Sequence, residues 1–253
     1  MSLRGELTKA AKLLNLPWQL ARAKFRLKTR GRVVQGPFTG MNYIGKSFGS
    51  EYEAKLLGTY ELELCDIVNE LCGDAYDIVV NVGAAEGYYA VGFAMRVSDA
   101  QVIAFEISER AHPFLRKLAT LNGVANRISV RGRCDLQGLT SALEAGARPL
   151  LVMDIEGEED VMLDPRKAPI LQKCAILVEV HEFVDSTLFD RLYARFFATH
   201  TVGTIRGRNR TRDDLPFSTT VLWPWFAGMM DERRTPPVTW LLLRPKDLPD
   251  TPR

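Results

Sequence analysis

The stretch from Asp77 to Glu106, DIVVNVGAAEGYYAVGFAMRVSDAQVIAFE, constrains the fold more than any other part of the chain. It opens with the apolar run Ile78-Val79-Val80, continues through Asn81 and Val82, and breaks at Gly83-Ala84-Ala85-Glu86-Gly87. β-branched residues bounded by glycine predict a buried strand entering a tight turn. Tyr88 to Arg96, which carries two alanines, predicts a helix, and Gln101 to Phe105 predicts a second strand closed by Glu106. Strand, small-residue turn, helix, strand and acid follow in the order of a nucleotide-binding βαβ unit. Small residues let backbone approach a ligand closely, and an acid about 20 residues past the turn can accept hydrogen bonds from both hydroxyls of a ribose.

The turn lacks what a dinucleotide site needs. In G-x-G-x-x-G the glycines seat a pyrophosphate on the helix N-terminus, whereas here the middle position is Ala85 and Glu86 precedes Gly87. A carboxylate beside a pyrophosphate is repulsive, which disfavours the alternative of a nicotinamide-dependent oxidoreductase. The residues resemble instead the class I S-adenosylmethionine-dependent methyltransferases, whose first motif ends a strand with an acidic or amide residue followed by G-x-x-x-G. Asn81-Val82-Gly83-Ala84-Ala85-Glu86-Gly87 taken with Met153-Asp154-Ile155-Glu156-Gly157-Glu158-Glu159 is similar, more narrowly, to the FkbM-like methyltransferases, over roughly residues 76 to 181. The resemblance implies an α/β, Rossmann-like fold: a mostly parallel seven-stranded sheet with helices on both faces and an antiparallel C-terminal hairpin. It implies S-adenosylmethionine as cofactor and O-methylation of a hydroxyl on a small molecule or glycan. It assigns cofactor contacts to Asn81, Gly83, Ala84, Ala85, Glu86, Gly87, Glu106, Ile107 and Asp154, and the adenine amino group to Asp135, the acid after the third strand.

Further along, Glu109 to Asn122 predicts a helix and Arg127 to Gly132 a third strand. Leu136 to Ala145 is again helical. Leu150 to Met153 is continuously apolar, as a strand buried on both faces requires, and it delivers Asp154 to the carboxyl edge of the sheet, where open α/β folds bind ligands. Ile176 to Val178 delivers Glu179 and His181 to the same edge. Asp154, His181 and Glu179 are therefore the candidate catalytic groups, with His181 the base because its ordinary pKa lies near neutrality. Asp154, Glu156, Glu179 and His181 also form a donor set for a divalent cation that would acidify an acceptor hydroxyl. Base and metal stay open on sequence alone. Glu158, Glu159 and Asp160 read either as site groups or as charge favourable to the first turn of a helix.

Outside this core, residues 1 to 50 read as a basic helical arm and a surface connection, and 51 to 253 as the cofactor-binding domain. Up to Arg32 the arm carries nine basic residues against Glu6, with Pro17 splitting it into two short helices at best. It suits an anionic membrane or nucleic acid, as in a non-catalytic binding module, or a helix pair that caps the domain or a partner subunit in a homo-oligomer. Ser50 to Gly73 predicts one helix capped by Ser50 and carrying Tyr60 and Glu61. After a helix over Asp185 to Ala198, strands are predicted at Thr201 to Ile205 and Val238 to Leu243 with no helix between them. The loop between them, Arg206 to Arg212, offers four arginines to an anionic or carbohydrate acceptor, with Trp223, Trp225 and Phe226 to stack on a ring. No apolar run approaches the roughly 18 residues that cross a bilayer, no secretory signal opens the chain, and Cys65, Cys72, Cys134 and Cys174 lack metal-site spacing. The chain reads as a cytoplasmic enzyme with reduced thiols.

Overall fold

The computed structural model describes residues 3–234 and 238–246, with side chains from residue 15 onward. Seven strands form one sheet in the order β3-β2-β1-β4-β5-β7-β6. They are β1 (Ile78–Val82), β2 (Gln101–Phe105), β3 (Ile128–Arg131), β4 (Pro149–Met153), β5 (Ala175–Val180), β6 (His200–Arg206) and β7 (Thr239–Pro245). β1 pairs in parallel with β2 on one side and β4 on the other. β3 and β5 extend the parallel run outward, while β7 is antiparallel to both of its neighbours. Every residue of β1, β4 and β5 is buried, as strands covered on both faces must be.

Alternation along these strands divides the core in two. Val79, Ala104, Val152 and Leu177 face one apolar cluster, and Val80, Ile103, Leu151 and Val178 face the other. The first side is covered by α2 (Tyr52–Leu57), α3 (Cys65–Gly73), α4 (Tyr88–Arg96), α5 (His112–Leu121) and α9 (Trp223–Met230); the second by α6 (Leu136–Leu143), α7 (Glu159–Met162) and α8 (Leu188–Phe196). Chain direction reverses its winding at β1, with β2 built to one side and β4 to the other, so the turns after β1 and β4 diverge and open a crevice at the carboxyl edge.

Four expectations fail outside that core. α1 (Leu3–Thr29) is one helix with Pro17 inside it. An interior proline costs about 3 kcal/mol or more, but Ala21 and Phe25 pack into the core beyond it, and a fully buried phenylalanine recovers about 1.5–3 kcal/mol. The connection from 31 to 50 is not a surface loop: Val33, Phe38, Met41, Tyr43 and Ile44 are buried. It folds on itself through Val33 N–H to Met41 O at 3.0 Å and Gly40 N–H to Val33 O at 2.8 Å, and it drives Phe38 against Gly92, where a Cβ would stand 2.5 Å from the ring.

The helix expected from 50 to 73 is broken. α2 stops at Gly58, which is left-handed (φ 68°) and whose missing Cβ would stand 2.2 Å from the Gln35 carbonyl oxygen. A short 3-10 turn over Leu62–Leu64 then leads into α3. Glu61 (φ 46°) sits in the gap. Helical periodicity persists across the break only because residues on both sides are buried. Ser50 does not cap α2; Glu51 holds that position, and the Ser50 hydroxyl accepts from Lys55 Nζ at 2.6 Å. Between β6 and β7, finally, lies α9, whose apolar sequence WPWFAGMM lacks the polar face that marks a surface helix.

Lys55 and Glu86 stitch this N-terminal layer to the βαβ unit. Their Nζ and Oε1 lie 2.7 Å apart at side-chain exposures of 3% and 0%, and Tyr43 Oη (2.5 Å) and the Phe48 N–H (3.1 Å) also donate to the Glu86 carboxylate. Burial raises the pKa of Glu86, yet the Lys55 charge and the hydrogen bonds from Lys55 and Tyr43 hold it below its ordinary value. Removing one partner from a buried, satisfied pair costs about 3–5 kcal/mol. Lys55→Met should lose that much in a urea unfolding experiment, and a loss below about 1 kcal/mol would show that the pair does not brace the layer.

Candidate functional site

The turn after β1 is built on left-handed backbone at Gly83 (φ 82°), Ala85 (φ 47°) and Gly87 (φ 98°). The N–H groups of Gly83 and Ala84 both donate to the Phe105 carbonyl at 3.0 Å, which ties the turn to the end of β2. Gly83 has a stricter reason to be glycine than room for a ligand. A Cβ there would stand 1.7 Å from the carbonyl oxygen of Asp154, so the turns after β1 and β4 touch backbone to backbone. Glu106 is 8% exposed, and its carboxylate accepts from the N–H groups of Ala85 and Ser108, both at 2.7 Å. Each oxygen retains a lone pair for a further donor.

Above the turn lies a cavity of about 570 Å³ whose walls include Asn81, Gly83, Ala84, Ala85, Glu106, Ile107 and Asp154. Two of its walls carry unpaired polar atoms. Asn81 is 2% exposed; its Nδ2 donates weakly to the Val152 carbonyl at 3.4 Å, while Oδ1 has no protein partner. Trp240 Nε1 is also buried without an acceptor. A buried acceptor and a buried donor left unsatisfied beside a cavity match a ligand that offers both, since leaving each unpaired costs about 1–3 kcal/mol.

Three residues assigned to the cofactor by the sequence lie elsewhere. Glu86 points into the N-terminal layer at Lys55, so its charge is neutralised there and does not bear on a bound phosphate. Gly87 is reserved by Leu115 of α5, whose Cγ would lie 2.8 Å from an added Cβ. Asp135 is the N-cap of α6, its Oδ1 accepting from the Gly138 N–H at 2.7 Å, and it does not line the cavity. All three satisfy local rules of capping, pairing or packing that share the motif's residue types.

A second cavity, of about 800 Å³, meets the first along Gly49, Ser50, Tyr60, Asp154 and Glu156. Glu179, His181, Arg206, Glu232 and Arg234 stand in its walls. His181 is 3% exposed and hydrogen-bonds through Nδ1 to Glu159 Oε1 at 2.6 Å. Its Nε2 is 3.5 Å from both Asp154 Oδ1 and Glu179 Oε1. Glu159 is fully buried at the start of α7, so it serves His181 and is not merely first-turn charge. Asp154, Glu179 and His181 each bring one ligand atom within 4.8 Å of the others, a spacing that suits a cation; Glu156 lies outside that set.

Arg234 organises the acids opposite. Its guanidinium donates to Glu61 at 2.5 Å, to Glu179 at 3.2 and 3.3 Å and to Tyr60 Oη at 3.0 Å, with Glu232 3.5 Å away. Tyr89 Oη donates to the other oxygen of Glu61. Sequence reasoning missed Arg234 and Glu232, whose only signal is a charged run, Asp231 to Arg234, before the last strand. Tyr60 and Glu61 come into the site through the break in the predicted helix. The four-arginine loop is largely spent on structure: Arg208 pairs with Asp214 at 2.7 Å, Arg210 with Glu63 at 2.7 Å and with Glu232, and Arg212 stacks on Trp223. Arg206 alone of the four lines the larger cavity, and Phe226 is buried in α9.

Crowded acids shift one another. Burial, then the Glu61 charge, raise the Asp154 pKa to about 6, and burial with the Asp154 charge raises Glu179 to about 9. Burial pulls His181 down, but the Glu159 hydrogen bond and charge outweigh it and leave the imidazole above its ordinary value. Glu179 binds its proton more tightly folded than unfolded, so its contribution to stability is complete below 4.5 and is lost as pH rises through about 9. With a chelator present, the unfolding free energy should fall across that interval, and Glu179→Gln should flatten the fall; an equal slope in the variant would show that Glu179 is not the titrating group.

No protein-family profile matches the sequence, and no curated protein does. Among solved structures the chain is similar to the O-methyltransferase TomG from Streptomyces achromogenes, solved in complex with SAM, at TM-score 0.48 and 13% identity over 72% of this chain and 78% of that one. It is similar to an O-methyltransferase from Bacillus cereus at TM-score 0.46 and 12% identity, over 91% and 90%, and to an rRNA methylase from Streptococcus thermophilus at TM-score 0.47 and 13% identity, over 73% and 97%. Likenesses this distant leave the fold to stand on the strand order and pairing, and leave the chemistry to the site.

Proposed function

We propose that this chain is an S-adenosylmethionine-dependent methyltransferase that methylates a hydroxyl oxygen of a small molecule or glycan, and that its FkbM-like motif pair reflects that family. The observation that carries the reading is the meeting of the two cavities at Asp154 and Tyr60: one is walled by the Gly83 turn and Glu106, the other by His181 and its acids. The first fits the cofactor on its own terms. Glu106 suits the ribose hydroxyls, the 68%-exposed Ile107 suits a flat base, and the unpaired Asn81 Oδ1 and Trp240 Nε1 suit a ligand with both donors and acceptors. When bound, S-adenosylmethionine supplies a sulfonium methyl carbon open to in-line attack. A nicotinamide dinucleotide is the weaker reading, because the middle position of the turn is Ala85, not glycine.

In this reading the acceptor hydroxyl lies in the larger cavity beside Asp154. His181 would take the hydroxyl proton at Nε2, the new oxygen–carbon bond replacing the methyl–sulfur bond with the thioether as leaving group, and Glu159 holds Nδ1–H, which fixes the tautomer and stabilises the imidazolium. Asp154 orients the hydroxyl. The same Nε2 with Asp154 and Glu179 favours a second reading, in which a divalent cation held there lowers the hydroxyl's pKa.

Glu106→Ala should lower affinity for S-adenosylhomocysteine by about 2–3 kcal/mol in calorimetry, as for hydrogen bonds to a charged group; affinity within twofold of wild type would remove Glu106 from the site. His181→Ala and Asp154→Asn should each lower turnover by about 10² or more with cofactor affinity nearly unchanged. Turnover should rise with pH through an inflection above 6.5, the side on which Glu159 holds the imidazole. Loss of activity in a chelator, restored by a divalent salt, selects the cation reading; indifference to the chelator selects the base.

A further inference from the structure

α1 presents a face that nothing among the described residues covers. Its inner side buries Ala21 and Phe25, and on the flank between the two faces Lys24 donates to the Ser218 carbonyl at 2.8 Å while the Lys24 and Lys28 ammonium groups lie over the Phe217 ring. On the outer side Leu16, Leu20 and Leu27, 47%, 52% and 66% exposed, recur at i, i+4 and i+11 and so form one narrow stripe. Arg26 lies to one side of the stripe and Lys24 and Lys28 to the other, while Arg22 sits nearer the buried side and Arg30 follows the end of the helix, and no acidic residue occurs between Glu6 and Glu51. Large apolar side chains in solvent between two basic margins are the pattern of a helix that lies in the plane of a membrane interface.

We propose that this face docks on an anionic lipid surface, with the leucines entering the boundary between headgroups and acyl chains and the basic margins meeting lipid phosphates. A second copy of the chain suits the stripe less well, since its own α1 would bring the same positive margins face to face. A nucleic acid would engage the arginines and lysines but leave the leucines in water. The position of the face has a consequence for the site. Arg22 and Arg26 line a recess of about 450 Å³ together with Ser50, Glu51 and Glu53, and Ser50 and Glu51 are also walls of the larger cavity beside Asp154. The helix that carries the stripe thus adjoins, through that recess, the rim of the cavity beside Asp154.

Co-sedimentation of the full chain with phosphatidylcholine vesicles, with and without phosphatidylglycerol, tests this. Binding should increase at least about tenfold with the anionic lipid and weaken with salt. The double variant Leu20→Glu and Leu27→Glu should bind about tenfold less or weaker still with an unchanged melting temperature, because both positions are exposed, and Arg22→Gln with Arg26→Gln should weaken binding independently. Equal binding to the two vesicle types, or wild-type binding by the leucine variant, overturns the proposal. So does a dimer in sedimentation velocity that the leucine changes dissolve, or binding to duplex RNA with none to vesicles.

Discussion

The carbonyl oxygen of Asp154 occupies the space that a side chain on Gly83 would need, 1.7 Å from its Cβ position, and the geometry of the site follows from that contact. β1 and β4 are neighbours in register, Val82 beside Met153, and the Asp154 N–H continues the ladder by donating to the Val82 carbonyl at 3.0 Å. One residue later the two chains must part, because β1 feeds a helix on one face of the sheet and β4 feeds the short α7 on the other. Only a glycine lets them separate from so close a start. The separation leaves one cavity over the Gly83 turn and another over β5, with the Asp154 carboxyl at their junction.

A second constraint is electrostatic. Glu179, Glu61 and Glu232 converge from three parts of the chain on Arg234, and His181 links Glu159 to Asp154 and Glu179. These carboxyl groups are buried and outnumber the cations there, so burial first and neighbouring charge second raise the pKa of Asp154, Glu179 and Glu232, Glu232 reaching about 7 through burial and the Glu61 charge. Such a cluster holds protons near neutrality. Arg234 also binds Tyr60 and Glu61, and through them the N-terminal layer, so the wall of the larger cavity is assembled only when distant segments have docked.

The βαβ unit and the parallel strands were legible because each residue there obeys one strong rule: buried strands are continuously apolar, and turns carry glycine. α4 falls at Tyr88–Arg96, where the alanine-bearing run predicts a helix. Asp154, Glu179 and His181 were legible as a group because strand ends converge at the carboxyl edge. What escaped depends on tertiary contact. Phe38 and Met41 lie in a segment without period, the break at Gly58 follows from the Gln35 carbonyl, and α9 is too uniformly apolar to announce a face. Glu86 and Asp135 share residue type and position with a ligand-binding motif, yet an ion pair and a helix cap account for them. Arg234 and Glu61 are brought together across 173 residues, a distance over which no local pattern reports.

The most direct test is a crystal structure of the chain grown with S-adenosylhomocysteine. The expected result is the nucleoside over the Gly83 turn, ribose hydroxyls on Glu106, and sulfur turned towards Asp154 at the junction of the two cavities. A ligand seated instead among Glu179, His181 and Arg234, or crystals that stay free of ligand at saturating concentration, would contradict the assignment of the two cavities.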